Sequence, residues 1–185
     1  MKILFLWLLS MCLSVSLMAQ GARPVVKTLE QEERVPVSQL GISLILPEKS
    51  TLIGTGVSEA TNYIFPWFKT PFGSVDIAFA DAVAKASLNE MVAEFDAKMR
   101  KRGSGIVAVD EGRSEVLQGI PVVRISCLGD NRYRIVRYFL LSSDGRLGFL
   151  HLHGANDLNE LEKVVRRTIK RIEPSAEPEP AALVE

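Results

Sequence analysis

Length, composition and charge exclude several classes of protein. The 185-residue chain is 47% hydrophobic, which suffices for a single domain with a sizeable core. Its 22 lysines and arginines balance 22 aspartates and glutamates, so the formal net charge is zero. We therefore expect no nucleic acid as a partner and no attraction to an anionic membrane.

Residues 1–21 have the order of a secretory signal peptide. Lys2 supplies a short positive segment, residues 3–18 are almost entirely apolar, and a small-x-small cleavage site follows. The apolar run is shorter than the ~20 residues that cross a bilayer, which favours cleavage after Ala19 or Gly21 over a retained anchor. The sequence therefore predicts a secreted or periplasmic protein without stable membrane anchoring after cleavage.

The mature chain is expected to be one domain with loose ends. Residues 22–34 are polar without a stable period and indicate an N-terminal arm, whereas residues 35–172 indicate a single α+β domain. Residues 173–185 combine prolines, glutamates and alanines, a composition typical of a disordered tail. Only Cys127 remains after removal of the leader, so no intramolecular disulfide is expected.

Short strands are predicted before the first helix. Residues 41–47 form an apolar strand that ends at Pro47 and pairs as a hairpin with residues 35–40. Three more strands, separated by glycine, proline, serine and asparagine, are predicted at residues 51–57, 61–68 and 74–80.

The first helix is the best-determined element of the sequence. Ser87 and Glu90 have the spacing of a capping box, in which Ser87 accepts a hydrogen bond from the backbone three residues later. Basic residues precede Gly103, where they suit the negative end of the helix dipole. The apolar residues at helical spacing are Leu88, Met91, Val92, Phe95 and Met99.

The second half of the chain repeats the order of strands and then a helix. Strands are predicted near residues 105–110, 113–128 (broken at 119–121), 132–142 and 146–153, and a helix from about Asn156 to Ile172. A helix with one apolar stripe must bury that stripe against another element, and an antiparallel sheet is the obvious partner. We predict an α+β fold with two main helices packed on the sheet, as an α/β/α sandwich or with both helices on one face.

Motifs along residues 35–172 resemble the PsbP/DcrB-like family. The segment 41–47 (GISLILP) resembles its G-F-S-h-x-h-P opening, where h is apolar, and the segment 118–124 (QGIPVVR) resembles its turn into a long strand. The capped central helix and the closing helix after Gly154 fit the same pattern. The resemblance implies an antiparallel sheet between helices in a non-enzymatic accessory or binding protein, often exported, without shared catalytic residues.

His151 and His153 are the only histidines, and in a strand they project from the same face. Two imidazoles can hold one edge of a zinc or copper site, but such sites take three or four protein ligands. Asp157 is the nearest acid, across a turn. The histidines are therefore weak metal candidates, half-exposed side chains at a sheet end are the alternative, and no metal or cofactor is predicted.

Nucleophilic catalysis is not supported either. In a strand, Cys127 shares a face with Val123 and Ile125, which predicts an inert core cysteine. The sequence contains no Gly-x-Ser-x-Gly motif, and with histidine confined to one strand end a triad would be fortuitous. We therefore predict that the protein is not an enzyme, with a metal- or thiol-dependent hydrolase as the most distant hypothesis.

The segment 63–72 (YIFPWFKTPF) is predicted to be the working surface. Its prolines cannot donate ladder hydrogen bonds, which favours an edge strand or a loop. Exposed aromatic side chains suit docking of a partner chain or an apolar ligand, whereas burial in the core is the alternative. The residues predicted to bind a partner are Tyr63, Phe65, Trp67 and Phe68.

These patterns lead to two main hypotheses. The first is an exported, non-catalytic accessory protein that docks an envelope protein through the aromatic segment, framed by a basic face of the second helix. That face carries Lys163, Arg166, Arg167, Lys170 and Arg171. The second is a carrier of a small apolar ligand between sheet and helix. Neither the partner nor the oligomeric state can be predicted from the sequence.

Overall fold

The computed structural model describes residues 25–54, 57–58, 63–79, 87–103, 105–129, 132–154 and 156–172. The predicted signal peptide and C-terminal tail lie outside these residues. Two α-helices are formed there, α1 (Leu88–Lys101) and α2 (Leu158–Thr168), and a 3-10 turn spans Ser38–Leu40. The strands of the described residues are β1 (Val25–Thr28), β2 (Glu33–Val37), β3 (Ile42–Leu46), β4 (Thr51–Gly54), β5 (Val57–Ser58), β6 (Tyr63–Thr70), β7 (Gly73–Phe79), β8 (Val107–Ala108), β9 (Arg113–Leu117), β10 (Ile120–Leu128), β11 (Arg134–Leu141), β12 (Leu147–His153) and β13 (Lys170–Arg171).

The strands form one large and one small antiparallel sheet. The large sheet has the order β1-β4-β6-β7-β12-β11-β10-β8, with β5 paired to β6 and β9 paired to β10. The small sheet has the order β13-β3-β2, and β2 and β3 form the predicted hairpin. Two helices with a large antiparallel sheet confirm the predicted α+β fold class.

The helices cover opposite faces of the large sheet. Along β11, Ile135 and Phe139 pack toward α1, whereas Val136 and Leu140 pack toward α2. This alternation follows from the two-residue period of a strand, which sends successive side chains to opposite faces. The hairpin β2–β3 packs on the α2 face and shares its core. Of the two predicted arrangements, the α/β/α sandwich is therefore the one observed.

Both helices begin at a side-chain cap. The hydroxyl of Ser87 accepts a hydrogen bond from the Glu90 backbone at 3.3 Å, and the carboxylate of Asp157 accepts one from the Glu160 backbone at 3.0 Å. Such caps satisfy backbone donors that have no partner within the first helical turn. The predicted start of α1 at Ser87 is confirmed.

The second helix is shorter than the sequence predicts. It ends at Thr168 instead of Ile172, and the chain continues as β13, whose Lys170 pairs with Ser43 of β3. Ile169 is extended at φ −58° and ψ 129° yet remains fully buried. Ile169 and Ile172 are compatible with a helix and with a strand, so pairing with β3 decides between the two.

The N-terminal arm predicted at residues 22–34 contributes to the fold from Val25 onward. β1 pairs along its full length with β4 at the end of the large sheet. Leu29, which follows β1, is 1% exposed. Backbone pairing needs no hydrophobic period in the added strand, so the polar composition of this segment concealed it.

Candidate functional site

The aromatic segment is an internal strand, and the prediction of an edge strand or loop is wrong. β6 pairs with β7 on one side and with β4 and β5 on the other. Its register with β7 shifts between Ile64 and Phe68, a stretch that contains Pro66. The ladder of hydrogen bonds is interrupted at a bulge, so no backbone donor is required at Pro66. This explains how an internal strand accommodates a proline.

Phe68 does not belong to a docking surface. Its side chain is fully buried in the core shared by α2 and the hairpin β2–β3. The prediction that Phe68 contacts a partner is therefore wrong, because its position facing α2 makes it part of the core. The side chains of Tyr63, Phe65 and Trp67 lie outside the described part of the structure, and their role in partner binding stays a prediction.

The two histidines belong to a polar cluster on the α1 face of the sheet. His153 Nε2 lies 2.9 Å from the carboxylate of Asp76 on β7. Arg137 of β11 donates from Nε to Nδ1 of His151 at 3.4 Å, and its guanidinium lies 5.3 Å from the ring centre of Phe149. The register brings these groups together, because Asp76, His151 and Arg137 are opposite one another on adjacent strands.

This cluster is not arranged as a metal centre. Within the described ranges, no group of three or more histidine, cysteine, aspartate or glutamate side chains converges as metal ligands. Asp157, the nearest acid to the two histidines in the sequence, caps α2 instead. Burial, reinforced by the positive charge of Arg137, lowers the pKa of His151 to about 3. His151 is thus a neutral, buried acceptor for Arg137, while His153 is half-buried.

Cys127 lies in the core beneath α1. It is 2% exposed, and burial raises the pKa of its thiol. Ile135 stands between Cys127 and His153 in the strand register, which separates the two side chains by two strand spacings, about 10 Å. A thiol that is protonated and remote from the imidazole is not an activated nucleophile.

A second polar network, which the sequence did not reveal, joins α2 to the sheet. The Tyr138 hydroxyl donates to Glu162 at 2.6 Å, and Arg124 binds both oxygens of that carboxylate at 2.6 and 3.2 Å. Arg166 donates to the Tyr138 oxygen and pairs with Glu115 at 2.5 Å. Burial raises the pKa of Glu162, but the bonds from Arg124 and Tyr138 outweigh it, so the net pKa is lowered. Every charge in this network has an opposite partner, which makes it a structural clamp.

A groove of about 400 Å³ lies on the small sheet and is called the basic groove here. Arg34 donates to the Ser43 hydroxyl at 2.9 Å and to the Thr168 carbonyl, and Arg171 donates to the carbonyls of Leu40 and Leu141. Its cations have no carboxylate partner within the described residues. The lining residues are Arg34, Pro36, Ser43, Lys170, Arg171 and Ile172.

The sequence anticipated only part of the basic groove. Helical spacing predicts Lys170 and Arg171 on the basic face of the second helix together with Arg166, but the first two lie on β13 and Arg166 belongs to the clamp around Tyr138. Arg34 is the member that the sequence prediction lacks, although the alternation of Arg34 and Pro36 with the buried valines of β2 is a local sign that both face outward.

A cleft of about 540 Å³ opens beside α1 and is called the α1 cleft here. Its floor is formed by Val92, Val123 and Ile125, and small residues leave the space open on both walls. The wall residues include Ala93, Asp96 and Ala97 on α1, and Ala108, Asp110, Glu111 and Gly112 opposite.

Comparison with known proteins bears on the fold. No protein-family model matches the chain, and no curated protein matches it. Cyanobacterial PsbP (CyanoP) from Synechocystis sp. PCC 6803, known as a solution structure, is similar in fold, with a TM-score of 0.53 at 11% identity. The match covers 77% of this chain and 94% of CyanoP. The predicted PsbP-like fold is therefore confirmed, whereas the wider PsbP/DcrB-like assignment stays a prediction.

Neither α1 nor α2, the helices of the described ranges, is long and apolar enough to cross a membrane.

Proposed function

We propose that the protein is an exported, non-catalytic accessory protein that binds a partner protein in the cell envelope. The leader-like order of residues 1–21 supports export, and the resemblance to the PsbP/DcrB-like family together with the CyanoP-like fold supports an accessory role. The groups that would carry catalysis support the same view, because His151, Cys127 and Tyr138 are buried in the sandwich and both His151 and Tyr138 are hydrogen-bonded to other side chains.

The observation that carries the proposal is the basic groove. Its three cations, Arg34, Lys170 and Arg171, line one concave surface, and no carboxylate among the described residues neutralises them. The chain as a whole has zero net charge, so this local excess of positive charge is not a consequence of composition. Exposed charge of one sign is a means of selecting and orienting a complementary partner.

The test is retention of an envelope protein by the groove. The full chain, tagged and processed by its host, is immobilised and exposed to solubilised envelope beside a Lys170→Glu variant. We expect at least one protein that wild type retains and the variant loses. If the same proteins are retained on both columns, or none is retained on either, the proposal is wrong.

A carrier of a small apolar ligand is the second candidate, favoured by the α1 cleft. Its volume of about 540 Å³ lies within the range of small-molecule sites, and its floor of Val92, Val123 and Ile125 is apolar. Gly112 borders the floor so closely that an added Cβ would lie 3.1 Å from Ile125. A Gly112→Leu variant should therefore obstruct the cleft.

The carrier hypothesis is tested with an environment-sensitive naphthalene dye. Enhancement of dye fluorescence by wild type, lost in the Gly112→Leu variant at equal folded fraction, would support a ligand site. Equal enhancement by both proteins would place the dye elsewhere and exclude the cleft.

A further inference from the structure

We propose that the basic groove is a receptor for carboxylates and that its ligand is an extended acidic segment of a partner protein. This inference deepens the proposed function and rests on it. The argument concerns how the cations are held, how they are spaced, and what flanks them.

The two guanidinium groups are fixed without being neutralised. Arg34 donates to the Ser43 hydroxyl and the Thr168 carbonyl, and Arg171 to the carbonyls of Leu40 and Leu141. These acceptors are all uncharged, and a guanidinium has five N–H donors, so each group keeps its charge and unused donors. A guanidinium held in place loses little further freedom when it binds a carboxylate through two parallel hydrogen bonds.

The spacing of the cations fits a chain of acids. Arg34 lies on β2 and Lys170 on β13, the two outer strands of the small sheet, with Ser43 of β3 between them. Two strand spacings separate the outer strands by about 10 Å. In an extended peptide, side chains on one face recur every two residues, so they are about 7 Å apart at that interval and about 13 Å apart at four residues. Acidic residues at such intervals can therefore meet cations on both outer strands.

The flanks of the groove favour a peptide over a free inorganic anion or a nucleic acid. Pro36 is exposed and Ile172 is 39% exposed, so apolar contacts lie beside the charges. Phosphate offers nothing to these apolar surfaces, and a polyanionic nucleic acid would meet a chain without net positive charge. An extended segment with alternating acidic and apolar residues uses both features.

The experiment measures fluorescence anisotropy of labelled synthetic peptides on the full processed chain. One peptide alternates glutamate with valine, and its control alternates glutamine with valine at the same length. We expect the glutamate peptide to bind and the glutamine peptide to bind at least tenfold more weakly, with the difference shrinking as salt is raised.

Variants locate the binding. Lys170→Glu should weaken the glutamate peptide about tenfold, because it removes one attraction and adds one repulsion at an exposed site. Lys101→Glu, at the end of α1 and away from the groove, makes the same charge change and should leave binding within twofold. Far-UV circular dichroism spectra that match the wild type at the temperature of measurement establish that both variants are folded. A peptide alternating lysine with valine should bind the Lys170→Glu variant better than wild type.

Three outcomes would overturn the inference. Equal binding of the glutamate and glutamine peptides would mean that carboxylates are not recognised. Equal losses in Lys170→Glu and Lys101→Glu would mean that the attraction is not local to the groove. Full competition by inorganic phosphate at constant ionic strength would identify a simple anion site. If an envelope partner is still lost on Lys170→Glu, only this inference fails; if peptides bind as expected but no partner is retained, the proposed function fails.

Discussion

The two faces of the central sheet are closed to different degrees. The face under α2 is covered by a helix and by the hairpin β2–β3, and residues such as Leu44, Leu161 and Val165 are fully buried there. Among the residues that the structure describes, the face under α1 is covered by that one helix, and the α1 cleft opens between it and strands β8 to β10. The comparison indicates that the first face supplies most of the packing and the second retains space.

The buried charges of the two faces also differ in how well they are paired. Beneath α2, the carboxylate of Glu162 is matched by Arg124 and by the Tyr138 hydroxyl. Beneath α1, Arg137 is 4% exposed, and within the described ranges its guanidinium has a neutral imidazole and two aromatic rings as its neighbours. A buried charge without an opposite charge costs stability, although its position over aromatic rings offsets part of that cost.

The largest effect is expected when one valine on each helix is truncated to alanine, because the two faces should then lose different amounts of stability. Val165→Ala removes two methyl groups from a fully buried site on α2 and should lower the free energy of unfolding by about 2.5 kcal/mol. Val92→Ala removes the same atoms from a side chain that is 3% exposed but borders the α1 cleft. The space it leaves joins the cleft instead of forming a closed cavity, so the loss should be about 1.5 kcal/mol. Urea unfolding measures both. Equal losses would show that the α1 face is packed as tightly as the other.

Lowering the pH should destabilise the α1 face through His151. Its pKa is about 3 in the folded protein and about 6.5 in an unfolded chain. Between these values the unfolded state binds more protons, so stability falls as the pH drops below about 6.5. From pH 7 to pH 5 this amounts to about 2 kcal/mol, measured by urea unfolding.

Histidine variants isolate this contribution. His151→Asn keeps an acceptor for Arg137 but cannot be protonated in this range, so it should remove most of the drop. His153→Asn retains His151 and should retain the drop that His151 causes. A His151→Asn variant with the wild-type pH dependence would assign the titration to another group.

Much of this fold follows from local sequence signals, and the exceptions have physical causes. The caps at Ser87 and Asp157 and the alternation along β11 are local, so the helix starts and the two-faced sheet can be predicted. The internal position of β6 depends on a bulge that accommodates Pro66, and such a bulge is set by the neighbouring strand. The end of α2 is likewise decided by pairing of Lys170 with β3.

The candidate sites were harder to predict than the fold. The basic groove combines Arg34 with Lys170, and the clamp combines Tyr138 with Glu162, so each joins residues far apart in the chain. Sequence spacing predicts neighbours within one helix or strand, but not which outward residues meet across strands. The proximity of His151 and His153 can be predicted because they lie on one strand, yet their partners Arg137 and Asp76 come from the two neighbouring strands.

Removing the Tyr138 hydroxyl should weaken the α2 face by a smaller amount. Tyr138→Phe deprives Glu162 of a donor and Arg166 of an acceptor, while Arg124 and Glu115 still pair with them. We expect a loss of about 1.5 kcal/mol in the free energy of unfolding. Tyr133→Phe is the control, because Tyr133 is exposed and its loss should stay within about 0.5 kcal/mol. Similar losses in both variants would show that the clamp does not stabilise the α2 face.

The smallest effects should come from the helix caps. They sharpen the comparison because they test whether the two faces of the sheet open independently. Ser87→Ala and Asp157→Ala each remove one capping bond and should each cost about 1 kcal/mol. If the α1 face opens independently, Ser87→Ala should accelerate amide hydrogen exchange in α1 while α2 remains protected. Because α2 shares its core with the hairpin β2–β3, Asp157→Ala should affect both of those elements and spare α1. If either variant accelerates amide hydrogen exchange equally in both helices, the two faces unfold together. The difference in their packing would then not produce a difference in local stability.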